Sequence, residues 1–196
     1  MKLLLENVAA KGIVCGEDFR FGRDALGTPE LLKNYELPVT VVKTVKRNGE
    51  KVATSTCKRL VSENEFLLLQ ELLGDGYFIG GVVEHGRQVG RTYGFPTLNL
   101  TISEEKLLPR DGVYGGVAVT PKGRFQTILN IGSRPTFRVD ERKLEAHLID
   151  FEGDLYGAMV QIYPTVFLRP ITRFSGQEAL KEQLQKDKER VKEISV

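Results

Sequence analysis

Beyond Tyr77 the chain is a succession of short apolar runs separated by glycine, proline and charged turns. Residues 78–83, 112–119, 124–131, 143–149 and 158–168 each alternate or run apolar in the way strands do. Several short strands at this spacing predict a small closed or Greek-key barrel. The pattern then changes period. Ser175-Gly-Gln-Glu178 has the form of a capping box, and a charged helix is expected from there to about Ile194. Leu180, Leu184, Val191 and Ile194 would form its narrow apolar stripe against the barrel.

Ahead of Tyr77 the texture is mixed α/β. Ile13-Val-Cys15 is a short apolar run that stops at Gly16-Glu-Asp. Thr28-Pro29 suits the N-cap and first position of a short helix reaching about Tyr35. Val39 to Val45 is β-branched, and Asn48-Gly49 offers a tight turn into Lys51–Ser55. Ser62-Glu-Asn-Glu65 is a second capping-box pattern before an apolar helix, Phe66–Leu73, which Gly74 can end. The change of texture puts a boundary near Gly74–Tyr77, dividing a partial α/β segment, 1–75, from a barrel domain, 76–196.

Composition narrows the class. A net charge of +2 over 196 residues gives no reason to expect nucleic acid or a membrane surface as partner. Met1-Lys-Leu-Leu-Leu5 is interrupted by Glu6, Asn7 and Lys11, too soon for a signal peptide or a membrane span. Two cysteines, Cys15 and Cys57, make neither a disulfide framework nor a metal spacing, and a reducing cytoplasm is the plain expectation.

The chemistry concentrates in Gly90-Arg-Thr-Tyr-Gly-Phe-Pro-Thr-Leu-Asn-Leu100, preceded by His85-Gly86. Gly86, Gly90 and Gly94 could let backbone N–H groups approach phosphates, with Arg91 the nearest cation. If the stretch after Pro96 is extended, Thr97 and Asn99 share a face. Two hard oxygen ligands beside a glycine-rich turn suit a Mg²⁺ ion that takes its other ligands from water and phosphate. No Walker-type sequence is present, so a nucleotide site here is not a P-loop. In a strand 143–151, Glu145 shares a face with His147, while Leu144, Ala146 and Leu148 face the other way. Burial among apolar neighbours favours proton uptake by a carboxylate, which makes Glu145 the candidate general base.

Pro96-Thr-Leu-Asn99 resembles the Pro-Thr-Ala-Asn signature of riboflavin kinases, with Leu98 in place of alanine. Gly132-Ser-Arg-Pro-Thr-Phe137, Leu144-Glu-Ala-His-Leu148, Phe151-Glu-Gly-Asp-Leu-Tyr-Gly157 and Phe167-Leu-Arg-Pro170 are similar to that family's later motifs, in the same order. The resemblance implies a mainly β fold, a six-stranded Greek-key-type barrel with a C-terminal helix. It implies transfer of phosphate from ATP, with Mg²⁺, to the 5′-hydroxyl of riboflavin, giving FMN and ADP. Glu145 would be the base, and Thr97 and Asn99 would hold the metal. His85 and Tyr156 would lie by the nucleotide, and Arg169, Phe174 and the loop containing Pro135 and Thr136 by the flavin. Without the resemblance, Thr97 and Asn99 read as turn residues, Arg169 as a strand-end surface charge, and His147 as a packed, hydrogen-bonded side chain.

Val14-Cys-Gly-Glu-Asp-Phe-Arg-Phe-Gly22 looks like part of the FMN adenylyltransferase module of bacterial FAD synthetases. That module's His-x-Gly-His motif is not formed by either histidine, His85 or His147, and Ser55-Thr-Cys-Lys-Arg59 matches its later motif only in part. The FAD-forming step is therefore expected to be lost. A bifunctional enzyme and a non-catalytic flavin-binding regulator are the alternatives. Half a parallel sheet would leave strand edges open to self-association.

Overall fold

The computed structural model describes residues 7–35, 37–47, 49–74, 76–85, 94–133 and 142–194. The chain forms two compact units, Met1–Ala53 and Thr54–Val196.

In the first unit β1 (Ile13–Gly16) runs parallel to β2 (Val39–Val42), with Ile13 opposite Val39. Parallel neighbours need a crossover, and this one carries α1 (Pro29–Leu32), with Thr28 at the N-cap and proline in the first turn. Leu32 is buried, whereas Val14 and Val42 stay exposed. β3 (Lys46–Arg47) and β4 (Glu50–Lys51) form the hairpin expected from Asn48-Gly49, and Gly49 has the positive φ such a turn demands.

The second unit opens with α2 (Thr54–Glu63) and α3 (Phe66–Leu73). Ser62 does not cap α3: it lies inside α2, and its hydroxyl donates to the Arg59 carbonyl at 2.7 Å. Ser55–Arg59 also lies within α2. These helices bury Leu60, Val61, Phe66, Leu69 and Leu72. The Asn64 side chain is hydrogen-bonded to the Tyr114 hydroxyl at 3.1 Å, and the Phe66 ring meets Tyr114 edge-on at 5.8 Å. The compact units thus part between Ala53 and Thr54, ahead of the change of texture at Gly74–Tyr77. Texture marks where the strands start, while packing joins the two helices to the barrel.

The barrel is closed and antiparallel. Its strands are β5 (Ile79–Glu84), β6 (Leu98–Ile102), β7 (Gly112–Thr120), β8 (Gly123–Ser133), β9 (Arg142–Leu148) and β10 (Met159–Arg169), in the spatial order β10-β5-β6-β9-β8-β7. β7, β8 and β9 form a meander and β6 returns beside β9, a Greek-key arrangement. β6 begins within the Pro-Thr-Leu-Asn segment, at Leu98, so the strand includes Asn99 while Thr97 stands just before it. Ile79, Val83, Leu100, Tyr114, Leu129, Ile131, Leu144, Leu148, Val160 and Ile162 fill the interior. Register shifts in β10, after Pro164 and again after Phe167, change which side chains face inward. Phe167 packs on the interior cluster, whereas Val166 and Leu168 face outward.

Those outward residues join Val113, Ile128 and Ile149 in a second apolar cluster, covered by Val191 of α4 (Gln177–Glu193). The expected capping box does not form at this helix. Gly176 is the N-cap, and no side chain bonds the first turn. At the other end Gln126 donates to the Val191 carbonyl at 3.2 Å. The apolar stripe contains a residue that patterning passed over. Asp187 is buried between Leu184 and Val191 and accepts from Arg169 Nε and Nη2 at 3.0 and 2.8 Å and from Gln183 Nε2 at 2.9 Å.

Candidate active site

Barrel closure aligns outward-facing positions from all six strands. Glu84 is opposite Asn99, Asn99 opposite Glu145, and Glu145 opposite Asn130. Asn130 is in turn opposite Val113, and Val113 opposite Arg169. Directly opposed residues of antiparallel strands share a face, with Cβ atoms about 4.5–5.5 Å apart. A single row on the barrel's outer surface therefore reads Glu84, Asn99, Glu145, Asn130. Leu144, Ala146 and Leu148 are buried on the opposite, inner face, as the alternation predicted. The cross-strand neighbours of Glu145 are amides rather than the apolar groups its sequence neighbours suggested.

Thr97 stands two residues before Asn99 and is half-buried, as Asn99 is. Leu98, between them, packs against the barrel interior, so its bulk is absorbed by the core and not by the outer face. Among the described residues no group of three or more His, Cys, Asp or Glu side chains is placed to hold a metal. The donors offered by Thr97 and Asn99 are few and hard, and Asn99 shares its face with the Glu145 carboxylate on the next strand. That set fits Mg²⁺, which usually keeps several waters and shares phosphate oxygens, better than it fits an ion needing a full protein cage.

His147 is buried on the face that carries Glu145, and its Nδ1 lies 2.8 Å from the Pro96 carbonyl oxygen. A carbonyl can only accept, so Nδ1 carries the hydrogen. The Phe95 ring meets the imidazole edge-on at 5.2 Å. Burial pushes the His147 pKa below its ordinary value; the Pro96 bond opposes this, Lys188 adds to it and Asp150 opposes it, leaving the ring neutral near pH 7. The packed, hydrogen-bonded reading of His147 describes its surroundings. It ties Phe95-Pro96, immediately before Thr97, to the strand of Glu145. A cleft of about 470 Å³ lies beside Phe95 and is lined from α4 by Glu178, Lys181, Glu182 and Gln185.

His85 and Tyr156, 71 positions apart, are brought into a stack with ring centroids 3.7 Å apart and planes inclined by 27°. The turn holding Tyr156 is fixed by Asp154 Oδ1, which accepts from the Tyr156 amide at 2.8 Å, and by the Gly157 amide donating to the Val83 carbonyl at 2.9 Å. Gly94 has φ +77, a conformation that favours glycine, and no described residue comes within 4 Å of where a Cβ would stand. Gly86, Gly90 and Arg91 lie outside the described residues, as do Pro135 and Thr136. Arg169 and Phe174 come together, the guanidinium carbon 5.5 Å from the ring centroid. Arg169 also has a structural partner, Asp187, that patterning did not supply. Asn130 was likewise passed over, although alternation with Leu129 and Ile131 was enough to put it on the outer face.

Both the closed six-stranded barrel, with its carboxylate between two amides, and the front unit find relatives. Residues 73–195 match the family described as riboflavin kinase, and residues 1–56 match that described as FAD synthetase. The chain belongs to the riboflavin kinase family. It is 33% identical over 191 residues to the bifunctional riboflavin kinase/FMN adenylyltransferase of Escherichia coli K12, covering 94% of this chain and 60% of that protein. The Bacillus subtilis 168 protein of the same name is 32% identical over 182 residues, covering 90% and 58%. This chain therefore spans about three-fifths of the length of these relatives. A solved structure of a protein named as a macrolide-efflux protein from Streptococcus pneumoniae superposes with a TM-score of 0.87 at 30% identity, covering 98% of this chain and 64% of that one. No helix among the described residues is long and apolar enough to cross a membrane.

Proposed function

We propose that this chain is a riboflavin kinase that converts riboflavin and ATP to FMN and ADP. The observation that carries the reading is the direct opposition of Glu145 and Asn99 on the barrel's outer face. It sets a proton acceptor one strand away from an oxygen donor suited to the metal on ATP. In this reading the ribityl 5′-oxygen bonds to the γ-phosphorus while the bond to the bridging oxygen breaks and ADP leaves with its electron pair. The hydroxyl proton passes to the Glu145 carboxylate. Thr97 and Asn99 would hold Mg²⁺, which would supply positive charge against the phosphates. His147 holds Phe95-Pro96 and so the approach to both ligands. The His85–Tyr156 stack offers an aromatic surface at the nucleotide side, and Phe174 one at the flavin side.

Purified chain incubated with riboflavin, ATP and Mg²⁺ is expected to yield FMN, separated by chromatography; riboflavin left unchanged refutes the reading. The barrel domain 76–196 is the proposed catalytic part, and the two free cysteines, Cys15 and Cys57, suit a reducing cytoplasm. Efflux finds no support in the barrel, whose interior is filled by Tyr114, Leu129, Ile131 and Leu144.

A second reading, with FAD formation retained, is favoured by the match of residues 1–56 to FAD synthetase. For these 196 residues FMN is the proposed end product, because neither histidine stands in a His-x-Gly-His pattern. FAD formed from FMN and ATP would reverse that choice. Exposed Val14 and Val42 on the β1–β2 pair support self-association through the front unit, which sedimentation at several concentrations tests.

A further inference from the structure

The row that holds Glu145 continues to Asn130, and Asn130 is chemically anomalous. Its Oδ1 is buried and no group among the described residues donates to it. A buried carbonyl-type oxygen without a donor is unfavourable, so a sequence that keeps one usually has a partner for it in the working molecule. Asn130 is directly opposite Glu145 on one side and Val113 on the other, and Val113 is opposite Arg169, whose guanidinium lies by the Phe174 ring. With strands about 4.8 Å apart, the row passes from the aromatic end through Asn130 to the base at Glu145 and on to Asn99.

We infer that Asn130 is a substrate-contacting residue. Its side-chain carbonyl oxygen accepts an O–H hydrogen bond in the bound complex, one strand from the hydroxyl that Glu145 deprotonates. An acceptor beside a base, on the path from an aromatic surface to a metal, matches the chemistry of a polyhydroxylated chain linking a ring to its terminal alcohol. A metal-bound water offers the same O–H donor. This inference rests on the riboflavin kinase reading for the identity of the substrate. Its geometric basis, an orphan acceptor next to Glu145, does not.

The test uses the full chain and Asn130→Ala and Asn130→Leu variants, with folding checked by thermal denaturation. Loss of one hydrogen bond to a neutral partner predicts a fall of up to about tenfold in kcat/KM for riboflavin. Removing the orphan acceptor predicts an unchanged or raised Tm, most clearly for Asn130→Leu. A flavin carrying a 5-hydroxypentyl chain separates the two donors. If the partner is a chain hydroxyl, variants and wild type turn over this analogue equally. If the partner is a metal-bound water, the deficit persists and the Mg²⁺ dependence shifts. Variants with unchanged kcat/KM for riboflavin, or a lowered Tm that accounts for the whole loss of activity, overturn the inference. Wild type that makes no FMN defeats the kinase reading alone. The Asn130 assignment is then judged by quenching of riboflavin fluorescence on binding, where equal affinity of wild type and variants sinks it.

Discussion

Replacing Asp187 by alanine removes the counter-charge from a guanidinium whose other contacts, the Pro170 carbonyl and the Phe174 ring, are uncharged. Arg169 has 17% of its side chain exposed and Asp187 only 4%, and hydrogen bonds of 3.2, 3.0 and 2.8 Å join them. Deleting one member of a buried pair typically costs about 3–5 kcal/mol, because the remaining charge stays desolvated. The partial exposure of Arg169 places this case at the low end, about 3 kcal/mol. For a unit the size of Thr54–Val196, that corresponds to a fall of roughly 10 °C in Tm. The assay is thermal unfolding of Asp187→Ala beside a double variant, Arg169→Met with Asp187→Leu. The double variant should recover most or all of the loss, since an apolar pair of similar volume avoids both desolvation costs. A fall below about 3 °C for the single variant would refute the argument, because it would mean that the guanidinium rehydrates freely at little cost. The same double variant addresses Arg169 as a phosphate contact. If Arg169 serves only to fix α4 and Phe174, kinase activity returns with stability; if it also meets a substrate phosphate, the protein is stable and inactive.

Glu145→Gln should lower kcat by about 10²–10⁴-fold while riboflavin binding, read by fluorescence quenching, is retained; full turnover would remove Glu145 from the role of base. Asn99→Ala should raise the Mg²⁺ concentration needed for half-maximal activity, and an unchanged metal titration would exclude it as a ligand. His147 is neutral in the fold with its pKa below the ordinary 6.5, so between those two values the unfolded chain binds the extra proton and stability rises with pH. Denaturant midpoints should therefore fall as pH drops below about 6.5, and His147→Phe should flatten that slope; an unaltered slope would assign it to another group. Val191→Ala, which opens a void where the helix covers the barrel's outer cluster, should cost about 2 kcal/mol by denaturant titration.

Much of the site was legible because strand alternation is local. Opposite faces for Glu145 and Leu144 follow from a period of two, whatever the strand packs against. Asn99 falls inside β6, whereas Thr97, expected on the same face of an extended segment, stands one residue before the strand begins. The helix limits were less legible. Serines at 62 and 175 fit capping boxes in sequence, yet Ser62 is taken up by α2 and the N-cap of α4 falls on Gly176. The arrangement of chemistry between segments lay beyond periodicity. His85 meets Tyr156, and His147 meets Pro96, only because the barrel closes.

The sequence by itself determined the alternation of faces along the regular strands and the apolar composition of the barrel's interior. Tertiary structure alone decided the register that sets Glu84, Asn99, Glu145 and Asn130 in one row, the packing of α2 and α3 with the barrel, and the burial of Asp187 against Arg169. The physical reason is the range of the interactions. Alternation is fixed by backbone geometry within a few residues, whereas register between strands joined by long connections is set by which apolar faces can be buried together, and a slip of one residue would turn every side chain to the other face.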